Sequence, residues 1–115
     1  MHYEVVVAHR SEYPEPITFA RGAMLKVGKR YEGPEGWDDW YFCAVAGREG
    51  WVPVQVFERV GEGVGRALED YTAREMEVGV GESVVGGRVL GGWVWCCREG
   101  DSGWVPLECL RVEPA

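Results

Sequence analysis

The sequence predicts an all-β chain built from two copies of one small unit. Three observations carry that expectation. The block Trp40-Tyr41-Phe42-Cys43 … Gly50-Trp51-Val52-Pro53 returns as Trp93-Val94-Trp95-Cys96 … Gly103-Trp104-Val105-Pro106, and residues 40–59 and 93–112 share seven identities. Unrelated stretches of that length share about one or two. Short β-branched and aromatic runs are cut by Gly and Pro throughout, leaving no window of helical period, which argues for a sandwich or barrel. Finally, 115 residues divided in two leave units that bury only about 60% of their unfolded surface. Such units lean on each other or on dense aromatic packing, and six Trp, five Tyr and three Phe supply the second.

Each element follows from local chemistry. Tyr3–Ala8 is compact and β-branched, hence a strand. Pro14 and Pro16 bar helix and central strand, so His9–Pro16 is a loop of solvated residues, the neighbouring His9 and Glu12 included. Ile17-Thr18-Phe19 alternates as a short strand, Arg21-Gly22-Ala23 turns, and Met24–Val27 resumes a strand. Gly28–Asp39 is a loop punctuated by Gly33-Pro34 and Gly36. Trp40–Ala46 is a strand, Gly47–Gly50 a tight hairpin connection, and Trp51–Val54 a strand leading to a 3₁₀ turn and the closing strand Phe57–Val60. Gly61-Glu62-Gly63-Val64-Gly65 reads as a short Gly-rich linker, giving domains at 1–60 and 66–115. The second copy repeats the order, with Arg66–Leu68 as its first strand, a compact loop over Gly86–Gly92 and a hairpin tip at Glu99–Gly103. Ile17/Met76 and Gly22/Gly81 match at an offset of 59 but the Trp blocks at 53, so the first copy carries six extra residues between about Val27 and Trp40. Tyr31, Pro34 and Trp37 lie in that longer loop, where a functional difference is expected.

Net charge is −7, and no basic run exceeds Lys29-Arg30. A phosphate-binding surface needs clustered cations, so nucleic acid is not an expected partner. Residues 61–115 carry five basic and ten acidic side chains, which favours a cationic partner. The first eight residues lack the basic and apolar regions of a leader, and no run is long enough for a membrane span. The four cysteines are therefore expected as free thiols in a reducing cytoplasm. Cys43 and Cys96 occupy equivalent strand positions as small core residues, Cys97 and Cys109 lie nearer the surface, and no spacing suits a metal. No nucleophile motif or phosphate loop is present, so neither catalysis nor a cofactor is expected.

Ala67-Leu68-Glu69-Asp70-Tyr71 resembles the opening motif of Src-homology-3 (SH3) domains. Gly81-Glu82, Gly92-Trp93-Val94-Trp95-Cys96 and Gly103-Trp104-Val105-Pro106 follow in that family's order. Residues 5–60 are similar without the opening pentapeptide, and the whole chain looks like bacterial variant SH3 proteins with two tandem copies. The resemblance implies two tandem, small, partly open five-stranded β-barrels. It also implies binding of an extended, Pro-rich peptide on aromatic ridges. Carried over by position, the second groove takes Trp93, Pro106 and Tyr71, with an acidic loop around Asp70, Glu75 and Glu77. The first groove takes Trp40 and Pro53, with His9, Arg10 and Ser11 at the opening motif and Tyr13 as the nearest aromatic. Glu69, Cys109 and Val56 stand where the family has Tyr, so both grooves have lost aromatic walls.

Trp51 and Trp104 are expected to pack across their hairpins, and Trp40 and Trp93 to face the groove. Trp37, beside Asp38 and Asp39, either clasps a cationic ligand or covers the neighbouring barrel. The expected function is a non-enzymatic module that binds a protein or peptide segment. Two alternatives stand beside it. One is a structural or oligomerisation unit, its grooves covered by the sister copy or by a second molecule in a homo-oligomer. The other, weaker, is binding of cell-wall glycan or peptide.

Overall fold

The computed structural model describes residues 1–11, 15–32 and 39–114. The chain is all-β, with 3₁₀ turns at Val54–Val56 and Leu107–Cys109. Among the described residues no helix is long and apolar enough to cross a membrane.

Contacts divide the chain into two units whose bounds differ from those the linker reading implied, and only one of them is a continuous stretch. Unit 1 joins Met1–Pro14 to Arg74–Ala115, and unit 2 is Glu15–Ala73. Unit 1 contains β1 (His2–Val5), β9 (Ser83–Leu90), β10 (Trp93–Arg98), β11 (Asp101–Pro106) and β12 (Leu110–Val112) in one sheet of order β11-β10-β9-β1-β12. Unit 2 contains β3 (Met24–Arg30), β4 (Trp40–Val45), β5 (Arg48–Pro53), β6 (Phe57–Gly61) and β7 (Val64–Ala67) in the order β5-β4-β3-β7-β6. Its small second sheet pairs β2 (Thr18–Phe19) with β8 (Tyr71–Thr72). The two five-stranded, SH3-like sheets have the same order once β1 is matched to β7.

Gly61–Gly65 is thus not a linker. Gly61 pairs with Val64, and Glu62-Gly63 forms the turn of the β6–β7 hairpin, Gly63 adopting φ 68°. Gly65 is buried inside β7, where a Cβ would lie 2.8 Å from Phe57 Cδ2. Composition alone reads three glycines in five residues as flexibility, but here one makes a turn and one a close approach.

Alternation sets the core. Leu25 and Val27 of β3, and Val84 and Gly86 of β9, point inward while their neighbours face solvent. The expected loop over Gly86–Gly92 is instead mostly strand, because Gly86 makes room for the Tyr3 ring, which a side chain at that position would meet. The hairpin tips are also tighter than expected. Ala46 and Gly47 turn at φ 50° and 80°, so that Val45 already pairs with Arg48, and Arg98 already pairs with Asp101. Cys43 and Cys96 lie in the cores as expected, and burial pushes each thiol up to about 11. Cys109 is buried too, contrary to its expected place near the surface, because the 3₁₀ turn tucks it under β12; burial raises its thiol as well. Cys97 alone is exposed, on the face of β10 opposite Cys96, and all four thiols are free.

Candidate functional site

Each Trp block forms a hairpin whose two faces differ in kind. In β10–β11 the inward face carries Val94, Cys96, Gly103 and Val105. The outward face pairs Trp93 with Pro106 and Trp95 with Trp104. In β4–β5 the outward pairs are Trp40 with Pro53 and Phe42 with Trp51. The Trp of each Gly-Trp-Val-Pro packs across its hairpin, Trp104 edge-on to Trp95 at 5.3 Å and Trp51 edge-on to Phe42 at 5.2 Å. Tyr31, from the start of the longer loop, adds a further edge contact to Trp51 at 5.0 Å.

The groove position in unit 1 is built by three segments. Trp93 opens β10 and is half-buried. His9 sits edge-on to it, ring centroids 5.5 Å apart at 78°. His9 hydrogen-bonds through Nε2 to Glu75 Oε1 at 2.6 Å, with the two side chains only 17% and 9% exposed. The backbone holds both partners in place. His9 and Val78 exchange backbone hydrogen bonds of 3.0 Å, and Glu75 bridges to Trp104. The Trp104 N–H donates to the Arg74 carbonyl, and the Met76 N–H to the Trp104 carbonyl. Gly103 permits that docking, since a Cβ there would lie 2.7 Å from the Met76 nitrogen. Arg74 also pairs with Asp101 at 3.0 Å, tying the arm to the hairpin. The result is a partly open indole flanked by an imidazole and a carboxylate, chemistry suited to a Pro ring or a cationic side chain.

Unit 2 has the same frame with different contents. Tyr71 lies 5.5 Å from Phe19 and both are buried. Trp40 is buried as well, at 7% exposure. The position matching Glu75 is Pro16, whose carbonyl accepts from Arg48.

The residues expected in the grooves are therefore regrouped. Glu75, Trp93 and Pro106 lie in unit 1, whereas Tyr71 belongs with Trp40 and Pro53 in unit 2. Pro106 and Pro53 are both buried, so they brace the indoles opposite them. Tyr13 and Trp37 lie outside the described residues. The sequence places His9 at the opening motif together with Arg10 and Ser11, but as a solvated residue; in the structure it is the residue that takes the place of the opening Tyr, against Trp93. The signal was available: Val5-Val6-Val7-Ala8-His9 aligns with Ala67-Leu68-Glu69-Asp70-Tyr71 at an offset of 62, and Leu110 and Phe57, the strand partners of Val5 and Ala67, confirm that register.

A family model described as a variant SH3 domain matches residues 2–59. No curated protein and no solved structure matches the chain.

Proposed function

Since the chain belongs to the variant SH3 domain family, a protein-interaction fold, we propose that it is a non-enzymatic module that holds an extended peptide segment against Trp93 of unit 1. The observation that carries this reading is the contrast in exposure: Trp93 is half-open beside His9 and Glu75, while Trp40 is closed. A peptide with a Pro ring for the indole and a Lys or Arg for the acidic side fits that chemistry. Net charge of −7 favours the same cationic partner. Four free thiols suit a reducing compartment such as the cytoplasm.

A peptide array probed with the wild type, Trp93→Ala and Trp40→Ala tests the reading, each variant first checked for folding. Trp93→Ala loses the Pro-rich, basic peptides that the wild type holds, by about tenfold or more for loss of a central aromatic anchor. Trp40→Ala retains them at temperatures where it is folded. Retention of binding by Trp93→Ala removes this groove as the site. A second, structural role is favoured for unit 2 by the burial of both Trp40 and Tyr71.

A further inference from the structure

Unit 1 takes its opening strand, β1, from the first half of the sequence, and unit 2 takes the matching strand, β7, from the second half. The registers make the two strands directly comparable. Tyr3 faces Val84 and Val5 faces Leu110, whereas Gly65 faces Leu25 and Ala67 faces Phe57. One further step along the receiving strands, Gly86 matches Val27 at the offset of 59.

We infer that the chain is encoded for this reciprocal exchange and encoded against the arrangement in which each half closes on its own opening strand. The receiving surface of unit 1 is small (Val84, Gly86, Leu110) and takes the large strand (Tyr3, Val5). The receiving surface of unit 2 is large (Leu25, Val27, Phe57) and takes the small strand (Gly65, Ala67). The fit is tight in both. A Cβ on Gly86 would collide with the Tyr3 ring, and one on Gly65 would lie 3.0 Å from Val27 Cγ2. Self-closure would press Tyr3 onto Leu25 and Val27 and set Gly65 beside Gly86. One core would be overpacked and the other left hollow, and each fault destabilises.

Charge follows the same rule. Glu4 pairs with Arg111 at 2.6 Å in unit 1, and Arg66 pairs with Glu58 in unit 2. Self-closure would set Glu4 opposite Glu58 and Arg66 opposite Arg111, like charges at directly facing positions. His9 would exchange the Glu75 carboxylate for Pro16, which offers none. Size, charge and hydrogen bonding each select the other half's strand, and specificity is the difference between the two pairings. The partner that each open sheet fits is thus the opening strand of the other half of this chain.

Cysteine pairs in the full-length protein, with Cys97→Ser to remove the exposed thiol, read out the pairing. One variant carries Glu4→Cys with Arg111→Cys, and the other Glu4→Cys with Glu58→Cys. Directly facing residues meet the Cα spacing of a disulfide, about 4.4–6.8 Å. After mild oxidation and isolation of the monomer, peptide mapping is expected to find the bond between positions 4 and 111 at least about tenfold more abundant than that between 4 and 58. Equal yields, a dominant 4–58 bond, or a 4–111 bond formed only between two molecules each overturn the inference. Adding Tyr3→Gly with Gly65→Tyr reverses the size pattern and is expected to lower the 4–111 yield about tenfold, whether the chain re-pairs or unfolds. An undiminished yield overturns the claim that the sequence encodes the exchange.

Discussion

The two units share strand order, hairpin geometry, 3₁₀ turns and a facing Trp–Pro pair, yet the side chains set around that pair differ. In unit 1 the indole of Trp93 stays partly open, with an imidazole and a carboxylate beside it. In unit 2 Trp40, Tyr71 and Phe19 are all buried. One frame therefore supports two uses of the same position: an aromatic residue that a ligand can reach, and an aromatic residue that holds its own unit together.

Substitution at the two equivalent Trp residues separates those uses most sharply. Trp40→Ala removes a buried aromatic and is expected to destabilise by about 3–5 kcal/mol, the range for such core truncations. Trp93→Ala removes a half-buried ring and is expected to cost roughly half as much, in proportion to the area it keeps from water. Denaturant titration of both variants checks the order. Equal losses, or a larger loss at Trp93, would end the distinction between an anchoring and a ligand-facing Trp.

The sequence revealed the hairpins because their information is local. Alternation and the Gly-Trp-Val-Pro block specify Trp40–Pro53 and Trp93–Pro106 within a few residues, and the structure keeps both. The exchange of opening strands was hidden, since it depends on pairings between residues as distant as Glu4 and Arg111. A family model matching residues 2–59 likewise follows sequence continuity, although β1 inside that span packs in the other unit. The clue lay in differences between the copies rather than in their likeness. Tyr3 against Gly65, Val27 against Gly86 and Glu58 against Arg111 look like drift until the matched pairs are set side by side. Glycine misled twice for the same reason, at Gly65 and Gly86, where its small size is used and its flexibility is not.

Size matching between the units is sharpened by a smaller perturbation. Gly86→Val places a side chain against the Tyr3 ring and is expected to cost about 1–3 kcal/mol, as overpacking of a filled core does. The matching residue in unit 2 is already Val27, packed beside Gly65, so adding Tyr3→Gly should recover part of that loss. Hydrogen exchange should place the loss in β9–β11 and leave β3–β5 protected. Loss spread evenly over both units, or a double variant worse than either single one, contradicts the matched-pair account.

The smallest expected difference concerns acid. Both units make the same turn before β3 or β9: the Ala23 N–H donates to the Ala20 carbonyl at 3.1 Å, and the Glu82 N–H to the Gly79 carbonyl at 3.2 Å. A carboxylate meets each turn by a different route: in unit 2 Asp70, outside the turn, accepts from the Arg21 N–H at 2.9 Å, and in unit 1 the carboxylate belongs to the turn itself. Glu82 accepts from the Gly79 N–H and from Arg98, and these contacts, the backbone bond foremost, hold its carboxyl below the usual value of 4.5. A depressed carboxyl stabilises above the unfolded value and loses that contribution as pH falls through the folded one. The group is fully exposed, so the effect is modest and screened by salt. Unit 1 should therefore loosen as pH falls below the usual carboxyl value of 4.5 at low ionic strength, seen as faster hydrogen exchange in β9–β11. Glu82→Gln should flatten that pH dependence while lowering unit 1 stability slightly at neutral pH. If the acid profile of the variant overlays that of the wild type, the turn carboxylate is not the source of the loosening. Unit 2 has Ala23 at the same place, so Glu82→Gln leaves its turn unaltered and its exchange serves as the internal reference for the variant.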